Sequence, residues 1–401
     1  MGDPLLAGGV GLEEVLIVGF KALLAFTFMI VAVVLMIWFE RKVISDLQNR
    51  VGPNLAGPWG LLQTMADGVK LIFKEDLVPA RADRVVFGLA PFFALVPAFV
   101  TFSIVPLGGN FQDNGGVVSW FGRDTYLQLA DPPIGFLLLL AMSSIGVYGM
   151  MLAGWSSGSK YPLLGSVRAS AQAISYEAAL GLSLVSVLIV SGTLSTHGIV
   201  LGQAGEGFGG FLPDWNILVT GLVPFVIFLI AATAELNRAP FDLVEAEQEL
   251  VGGFHTEYSS IRFGLFYLSE YMNLITMSAI MVTLFLGGPA GPIFGPGWLH
   301  PVLPFVWFFI KLMFFLFAAV WARATLPRFR YDQLMDLGWK VLIPIALGWL
   351  LLLAAIQVGR DQDWNLALVV GIAIAVMILA ASLLGSAIAN ARRLRLSEEM
   401  T

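Results

Sequence analysis

The chain has 401 residues, of which 58% are hydrophobic and only 12% are charged. A soluble domain carries about 25% charged residues, so a fold of this composition would lack the polar residues needed to cover a water-exposed surface. The composition excludes a soluble protein and predicts an integral membrane protein. The formal net charge of −6 also disfavours a nucleic-acid partner.

The sequence contains no cysteine and only three histidines, His197, His255 and His300. Without cysteine, the chain has no thiol nucleophile and no cysteine ligand for an iron–sulfur cluster or for zinc. Because no two histidines lie at helical spacing, haem or metal ligation by histidine is poorly supported. We therefore predict no metal site, no bond-making catalytic side chain and no redox centre held by this chain.

Nine stretches are long and apolar enough to cross a bilayer as helices, which takes about 20 residues each. They lie near residues 14–39, 84–106, 132–154, 169–192, 216–236, 262–287, 302–322, 339–358 and 364–390. The first is too long for a cleavable signal peptide and ends at charged residues rather than at a cleavage site of small residues. The predicted fold class is an all-α integral membrane protein with about nine transmembrane helices.

Lysine and arginine are distributed unevenly between the two sides of the membrane. Eighteen of the 22 lie in the loops and the tail on the side that carries residues 40–84, whereas only Arg123 and Arg360 lie in loops on the other side. The positive-inside rule makes the first side cytoplasmic, so we expect the N-terminus outside and the C-terminus in the cytoplasm. The outside loops 107–131, 193–215 and 287–301 are rich in glycine or proline, and we interpret them as connectors.

The first cytoplasmic loop predicts a short amphipathic helix. After turn signals at 52–54 and 57–58, apolar residues recur at helical spacing, at Leu61, Leu62, Met65, Val69, Ile72 and Phe73. Asp67, Lys70 and Lys74 interrupt them, which makes the segment too charged to cross the bilayer and suits it to the membrane interface. A simple surface anchor is the alternative interpretation.

A dense group of carboxylates follows the fifth span. It comprises Glu235, Asp242, Glu245, Glu247, Glu249 and Glu257. Only Arg238 balances these acids before Arg262, and Pro240 is expected to end the preceding helix. Flanking apolar residues such as Phe241 indicate a packed loop, and crowded carboxylates have the raised and coupled proton affinities that a proton relay requires. A merely solvated loop is the alternative.

Three acids are predicted inside the bilayer. Glu177 and Glu270 lie nine and eight residues past the nearest cytoplasmic arginine, which places them roughly 13 Å and 12 Å deep at 1.5 Å per residue. Glu235 closes the fifth span. A charge at such depth costs several kcal/mol and should face the protein interior or water. Because the spans contain only two lysines that could neutralise these acids, we interpret the acids as functional.

Four segments carry a resemblance to a known family. They read ERKVISDLQNRVGPNLAGPWGLLQTMADGVKLIFKED at 40–76, GWSSGSKYPLLGSVRASAQAISYE at 154–177, AELNRAPFDLVEAEQEL at 234–250 and RFRYDQLM at 328–335. In this order they resemble the H subunit of proton-translocating NADH:quinone oxidoreductase, respiratory complex I, over about residues 15–358. Runs of this length are far more specific than a short motif.

The resemblance implies a membrane subunit that helps to form a quinone-binding chamber and couples quinone reduction to proton translocation. It implies menaquinone or ubiquinone as the substrate, whereas NADH, FMN and the iron–sulfur clusters belong to partner subunits. The implied partners are the other complex I subunits, namely iron–sulfur subunits of the peripheral arm and small membrane subunits, together with lipid. The implied location is a bacterial-type cell membrane.

The resemblance also assigns residues to these two roles. Those at the quinone chamber or its entrance are Glu40, Arg41, Arg50, Asp67, Lys70 and Phe241. Those of the proton path are Glu177, Glu235, Arg238, Asp242, Glu245, Glu247, Glu249, Glu270, Arg323, Arg328, Arg330 and Asp332. A quinone with an isoprenoid tail needs an apolar slot with a polar site for its ring, and a nearby acidic loop can respond to the charge that reduction adds.

The C-terminal end departs from the family pattern. Residues 1–358 are predicted to form the eight-helix domain, and residues 359–401 to add a ninth helix and a basic tail. Two alternatives to a complex I subunit stay open at this point. One is the related subunit of a membrane-bound hydrogenase or another donor-driven enzyme, and the other is a stand-alone carrier or channel, which the lack of an obvious inverted repeat disfavours.

Overall fold

The computed structural model describes the whole chain except residues 1–2, 7–8, 10, 113, 206–213, 244–250, 295, 298 and 400–401, and the side chains at 380–381, 384 and 387–399. The described residues form helices joined by loops of varied length, with a single two-stranded hairpin. The helices are α1 (Leu12–Leu47), α2 (Gln63–Phe73), α3 (Arg84–Phe102), α4 (Gly135–Ser156), α5 (Lys160–Ser191), α6 (Thr196–Gln203), α7 (Asn216–Val219), α8 (Leu222–Glu235), α9 (Ser260–Phe285), α10 (Leu303–Thr325), α11 (Tyr331–Leu337), α12 (Ile343–Asp361) and α13 (Leu366–Glu399).

Each of the nine predicted spans falls on a helix. Seven helical segments of the described chain are long and apolar enough to cross a membrane, and the seventh runs through α11 and α12 from Tyr331 to Asp361. Shorter apolar helices occupy Leu222–Glu235 and Leu366–Leu379. The all-α membrane class is therefore confirmed, while the number of crossings and their orientation stay predictions.

The fifth and eighth predicted spans have local breaks in the helix. Gly221, with a φ of +84°, separates α7 from α8, and this left-handed conformation is open to glycine at little cost. A π-helical turn at Gly338–Leu342 joins α11 to α12. The side chain of Trp339, in this turn, donates a hydrogen bond of 3.1 Å to Ser175 Oγ on α5.

The loops predicted to lie outside contain regular secondary structure, so their interpretation as plain connectors is wrong for two of them. The 107–131 loop contains an antiparallel hairpin of β1 (Val117–Trp120) and β2 (Arg123–Tyr126), and the 193–215 loop contains α6. The hairpin holds a buried cation, because Lys21 Nζ donates to Thr125 Oγ1 at 2.8 Å and pairs with Asp3 at 3.1 Å.

Helix α9 lies at the centre of the bundle. In the most apolar stretch of α9, 83% of the residues are buried, compared with 17% in the corresponding stretch of α1. The core around it includes Met29, Tyr176, Phe228, Ile280 and Phe315, which come from five different helices. Because α9 is enclosed by other helices, any charge that it carries must be satisfied by the protein or by enclosed water.

The predicted interfacial helix forms as α2, and its Asp67 faces the protein whereas Lys70 is exposed. Asp67 is half-buried and pairs with Arg41 at the end of α1, with an N–O distance of 2.6 Å. The apolar side chains of Met65, Val69 and Phe73 are exposed. Helix α2 therefore presents an apolar face to the surroundings of the chain, as an interfacial helix does.

Candidate functional site

Four ionisable side chains from distant parts of the chain meet, contributed by α1, the turn after α8, α9 and α10. Glu40 is only 3% exposed and accepts hydrogen bonds of 3.2 and 3.3 Å from Arg238, and it also pairs with Arg323. Arg238 Nε lies 2.7 Å from a carboxylate oxygen of Glu270. We call Glu40, Arg238, Glu270 and Arg323 the ion cluster.

Arg238 is the hub of the ion cluster. It is 7% exposed, and its guanidinium lies 4.3 Å from the centre of the Tyr271 ring. Burial alone lowers the pKa of Arg238, but the charges of Glu270 and Glu40 outweigh that effect and raise the pKa above its usual range. Arg238 therefore stays a cation, and removing a carboxylate would leave a buried charge without its partner.

The chain turn after α8 directs Arg238 inward. The helix ends at Glu235, and Asn237 takes a left-handed conformation with a φ of +51°. The amide of Phe241 then donates to the carbonyl of Arg238 at 2.8 Å, which closes a tight turn. The predicted helix break is confirmed, although it comes five residues before Pro240.

A second contact connects this turn to the linker after α10. Asp242 is buried and accepts a hydrogen bond of 3.0 Å from Arg328. The rings of Phe241 and Phe329 stack with a centroid distance of 5.4 Å, and the amide of Phe329 donates to the carbonyl of Pro240 at 3.1 Å. The segment 237–243 and the linker are therefore held together by both charge and ring packing.

Glu235 and Glu177 lie against adjacent hydroxyl groups of α4. Ser143 donates to Glu235, and Ser144 donates to Glu177. Within the described residues neither carboxylate is ion-paired with a lysine or an arginine. This differs from Glu270, which pairs with Arg238, the residue that the family resemblance implies as the counter-charge of these acids.

A polar cavity of about 100 Å³ lies between α4, α8 and α9 and is lined by both Glu235 and Glu270. Three buried oxygens on its walls have no hydrogen-bond partner in the described protein, namely Glu235 Oε2, Asn237 Oδ1 and Thr276 Oγ1. Buried polar atoms require partners, and a polar cavity of this size has room for several water molecules that can provide them.

An apolar cavity of about 350 Å³ lies on the other side of α8 and α9, where α10 closes it. Among its described lining residues three are charged, Glu40, Arg238 and Arg323. Most of the remaining wall is apolar and includes Phe241 and Phe315. The cavity thus combines an apolar interior with one charged region.

The two cavities share a wall. Leu236 and Met277 line both of them. Arg238 lines the apolar cavity and Glu270 lines the polar cavity, so their ion pair crosses from one to the other. A change of charge beside Arg238 would therefore act directly on Glu270, because the two groups are in contact.

The structure separates the predicted site residues into four groups. Nine lie in or next to the ion cluster or line one of the cavities, namely Glu40, Glu177, Glu235, Arg238, Phe241, Asp242, Glu270, Arg323 and Arg328. Arg41 and Asp67 pair with each other at 2.6 Å and are partly exposed. Others are exposed at the surface, namely Arg50, Lys70, Arg330 and Asp332, of which the last two pair with each other at 3.5 Å. Glu245, Glu247 and Glu249 lie outside the described residues.

Sequence reasoning missed several polar residues of this site. Tyr271 beneath Arg238, the pair Ser143 and Ser144, and Asn237 and His255 in the polar cavity were not singled out. The two adjacent serines in an apolar helix were a signal, because membrane helices place hydroxyl groups towards other helices. The remaining residues gave no signal of this kind.

These features define a polytopic α-helical membrane protein with a buried ion cluster between two internal cavities. A family model described as NADH dehydrogenase matches residues 20–354. The chain belongs to this family, and the resemblance of its four motifs is thereby confirmed.

Three similar proteins are each named as the H subunit of NADH-quinone oxidoreductase. The protein of Frankia alni is 50% identical over 388 residues, which cover 95% of this chain and 82% of that protein. The protein of Streptomyces avermitilis is 48% identical over 366 residues, 90% of this chain and 78% of the relative. The protein of Cutibacterium acnes is 46% identical over 369 residues, which cover 88% of this chain and 81% of that protein. The chain is thus a membrane subunit of this enzyme complex.

Proposed function

We propose that the apolar cavity receives a quinone and that the polar cavity carries the protons whose movement is coupled to quinone reduction. The ion pair of Arg238 and Glu270, which joins the two cavities, is the single observation that carries this proposal. The names of the relatives support quinone as the substrate.

The chemistry of the apolar cavity suits a quinone. Binding sites for small molecules are usually mostly apolar cavities of about 300–1,000 Å³ with a few oriented polar groups. The apolar walls would receive the ring and the first part of an isoprenoid tail, and Arg238 and Arg323 would donate hydrogen bonds to the quinone oxygens.

Reduction of a quinone to a quinol takes two electrons and two protons. In the proposal the electrons come from an iron–sulfur cluster of a partner subunit, and negative charge develops on the quinone oxygens first. The two protons of the quinol then come from water on the cytoplasmic side. The negative charge attracts Arg238 and weakens its ion pair with Glu270. Glu270 then takes up a proton from the polar cavity and releases it when the neutral quinol has formed and Arg238 returns.

The polar cavity supplies a lateral route for that proton. Water in the cavity would connect Glu270 to Glu235, and the adjacent hydroxyl groups of Ser143 and Ser144 would connect Glu235 to Glu177. Hydroxyl groups and carboxylates both donate and accept protons, which a chain of hydrogen bonds requires. The shared wall of Leu236 and Met277 would keep water of the polar cavity out of the quinone cavity.

The proposal is tested in the assembled complex, purified and reconstituted into liposomes. Arg238→Ala and Glu235→Gln should each cut NADH-dependent quinone reduction and proton pumping at least tenfold, because the first removes the ion pair that joins the two cavities and the second removes a proton-transfer group. Arg330→Ala is the matched control, because Arg330 is exposed and outside both cavities. NADH oxidation by a hydrophilic acceptor that bypasses the quinone site reports assembly. Normal coupled turnover in Arg238→Ala would contradict the proposal.

A further inference from the structure

His255 lies in a turn that is held tightly against the bundle. It ends the 3₁₀ turn Gly253–His255, in the loop between α8 and α9. A Cβ atom added at Gly165 of α5 would lie 2.8 Å from the Cα atom of Gly253, so the two backbones are at their closest possible approach. The turn therefore has a fixed position on the bundle, on the side that the distribution of lysine and arginine predicts to be cytoplasmic.

The imidazole of His255 lines the polar cavity together with Glu235 and Glu270. The residue is half-buried, so it lies between the cavity and the loop surface. Two rings flank it edge-on, those of Phe254 at 5.0 Å and Phe263 at 5.3 Å between centroids. The ring of His255 therefore lies between two aromatic rings at the edge of the polar cavity.

We propose that His255 transfers protons between the loop surface and the polar cavity, as the group at the mouth of that cavity. The inference rests on the proposed function of the cavity and adds an entry point to it. No redox step is involved. A proton binds to the unprotonated ring nitrogen, the proton on the other nitrogen leaves on the opposite side, and the ring returns to its first tautomer.

The electrostatic surroundings of His255 favour this role. Burial lowers the pKa of His255 to about 4, so the ring is neutral at pH 7, with one N–H donor and one acceptor nitrogen. The titratable groups that share the cavity with it are Glu235 on α8 and Glu270 and Tyr267 on α9. A neutral ring passes a proton on without trapping it, which a permanently charged side chain in this place would not do.

The experiment uses the reconstituted complex with His255→Gln and His255→Ala, and with His300→Gln as the matched control in an outside loop. We expect both His255 variants to slow coupled quinone reduction and proton pumping about tenfold. The solvent deuterium isotope effect on the rate of quinone reduction should also change. Added imidazole should restore the His255→Ala variant, because it replaces the missing proton-transfer group. His300→Gln should behave as the unmodified complex.

Three outcomes would overturn this inference. The first is normal coupled turnover in His255→Gln while Arg238→Ala is inactive, which would leave the proposed function intact. The second is lower turnover in His255→Ala that imidazole does not restore and that leaves the isotope effect unchanged, which would indicate a structural role only. The third is normal coupled turnover in Arg238→Ala, which would remove the proposed function on which the inference rests.

Discussion

Two cations of this protein, the buried Arg238 and the half-buried Lys311, have opposite kinds of partner. Arg238 is paired with two carboxylates, Glu40 and Glu270, which can gain and lose protons. Lys311 donates to three backbone carbonyls, those of Leu286, Gly288 and Ala290, at 2.7–2.9 Å.

Backbone carbonyls do not titrate at physiological pH, and those around Lys311 lie just past the C-terminal end of α9, where a positive charge is stabilised. Its ammonium also lies 5.2 Å from the ring of Trp215. The comparison shows that a buried charge is not by itself a sign of proton transfer. Only the cation with titratable partners can pass on a change of charge, and the following variants separate the two cases.

The largest effect on both stability and activity is expected for Glu40→Gln. Glu40 contacts the buried Arg238 and the partly exposed Arg323, so its neutralisation removes a carboxylate partner from both and should destabilise the subunit by about 3–5 kcal/mol. Thermal unfolding of the purified complex and its quinone reductase rate measure the two effects. Asp67→Asn, at the more exposed pair with Arg41, is the control and should change stability by less than about 1 kcal/mol.

Lys311→Met should lower stability without changing coupling. The substitution removes the donor for three carbonyls and should cost about 1–3 kcal/mol for each carbonyl that stays without a partner. Because Lys311 has no titratable partner among the described residues, the ratio of protons pumped to electrons transferred should stay constant in the complexes that assemble. A lower ratio in assembled complexes would mean that Lys311 acts on proton movement. It would contradict the distinction between Lys311 and Arg238.

Met277→Ala should reduce coupling more than stability. Met277 forms part of the wall between the two cavities, and its truncation would let water pass between them. We expect the ratio of pumped protons to electrons to fall while quinone reduction continues, with a loss of stability of about 2–5 kcal/mol for a buried methionine. Met281→Ala, which lines the apolar cavity alone, is the matched control. Equal ratios of pumped protons to electrons in the two variants would show that Met277 does not separate the two cavities.

The smallest effect is expected for Asp332→Asn. Asp332 and Arg330 form an exposed pair with a separation of 3.5 Å, and their side chains are 68% and 82% exposed. Exposed pairs contribute about 0–1 kcal/mol, so stability and coupled turnover should be close to those of the unmodified complex. A large loss of turnover would show that these two residues act in the assembled complex through a partner subunit.

Much of the fold could be predicted because a bilayer imposes strong rules on composition. The apolar stretches that predicted nine spans all coincide with helices, and α2 appears within one or two residues of its predicted position. The hairpin at 117–126 was missed, since neither of its four-residue strands shows a clear alternation of apolar and polar residues. Its stability depends on contacts with the N-terminal segment, which local patterns do not report.

The sequence predicted which residues belong to the candidate site but not which of them contact each other. Charge at depth indicated Glu177, Glu235 and Glu270 as functional, because unpaired ions are costly in a bilayer. Local spacing did not indicate that Glu270 has a basic partner or that Glu235 and Glu177 lie against adjacent serines. Those contacts join different helices, and sequence spacing carries no information about which helices become neighbours.

Composition and hydropathy by themselves determined that this protein is helical, lies in a membrane and carries acids at depth, since each of these follows from the cost of exposing polar groups to lipid. The tertiary structure alone decided that Glu40 meets Arg238, which is 198 residues away in the chain. It also decided that two cavities share a wall crossed by one ion pair. Packing of whole helices sets these distances, and hydropathy is the same for every arrangement that buries the same residues.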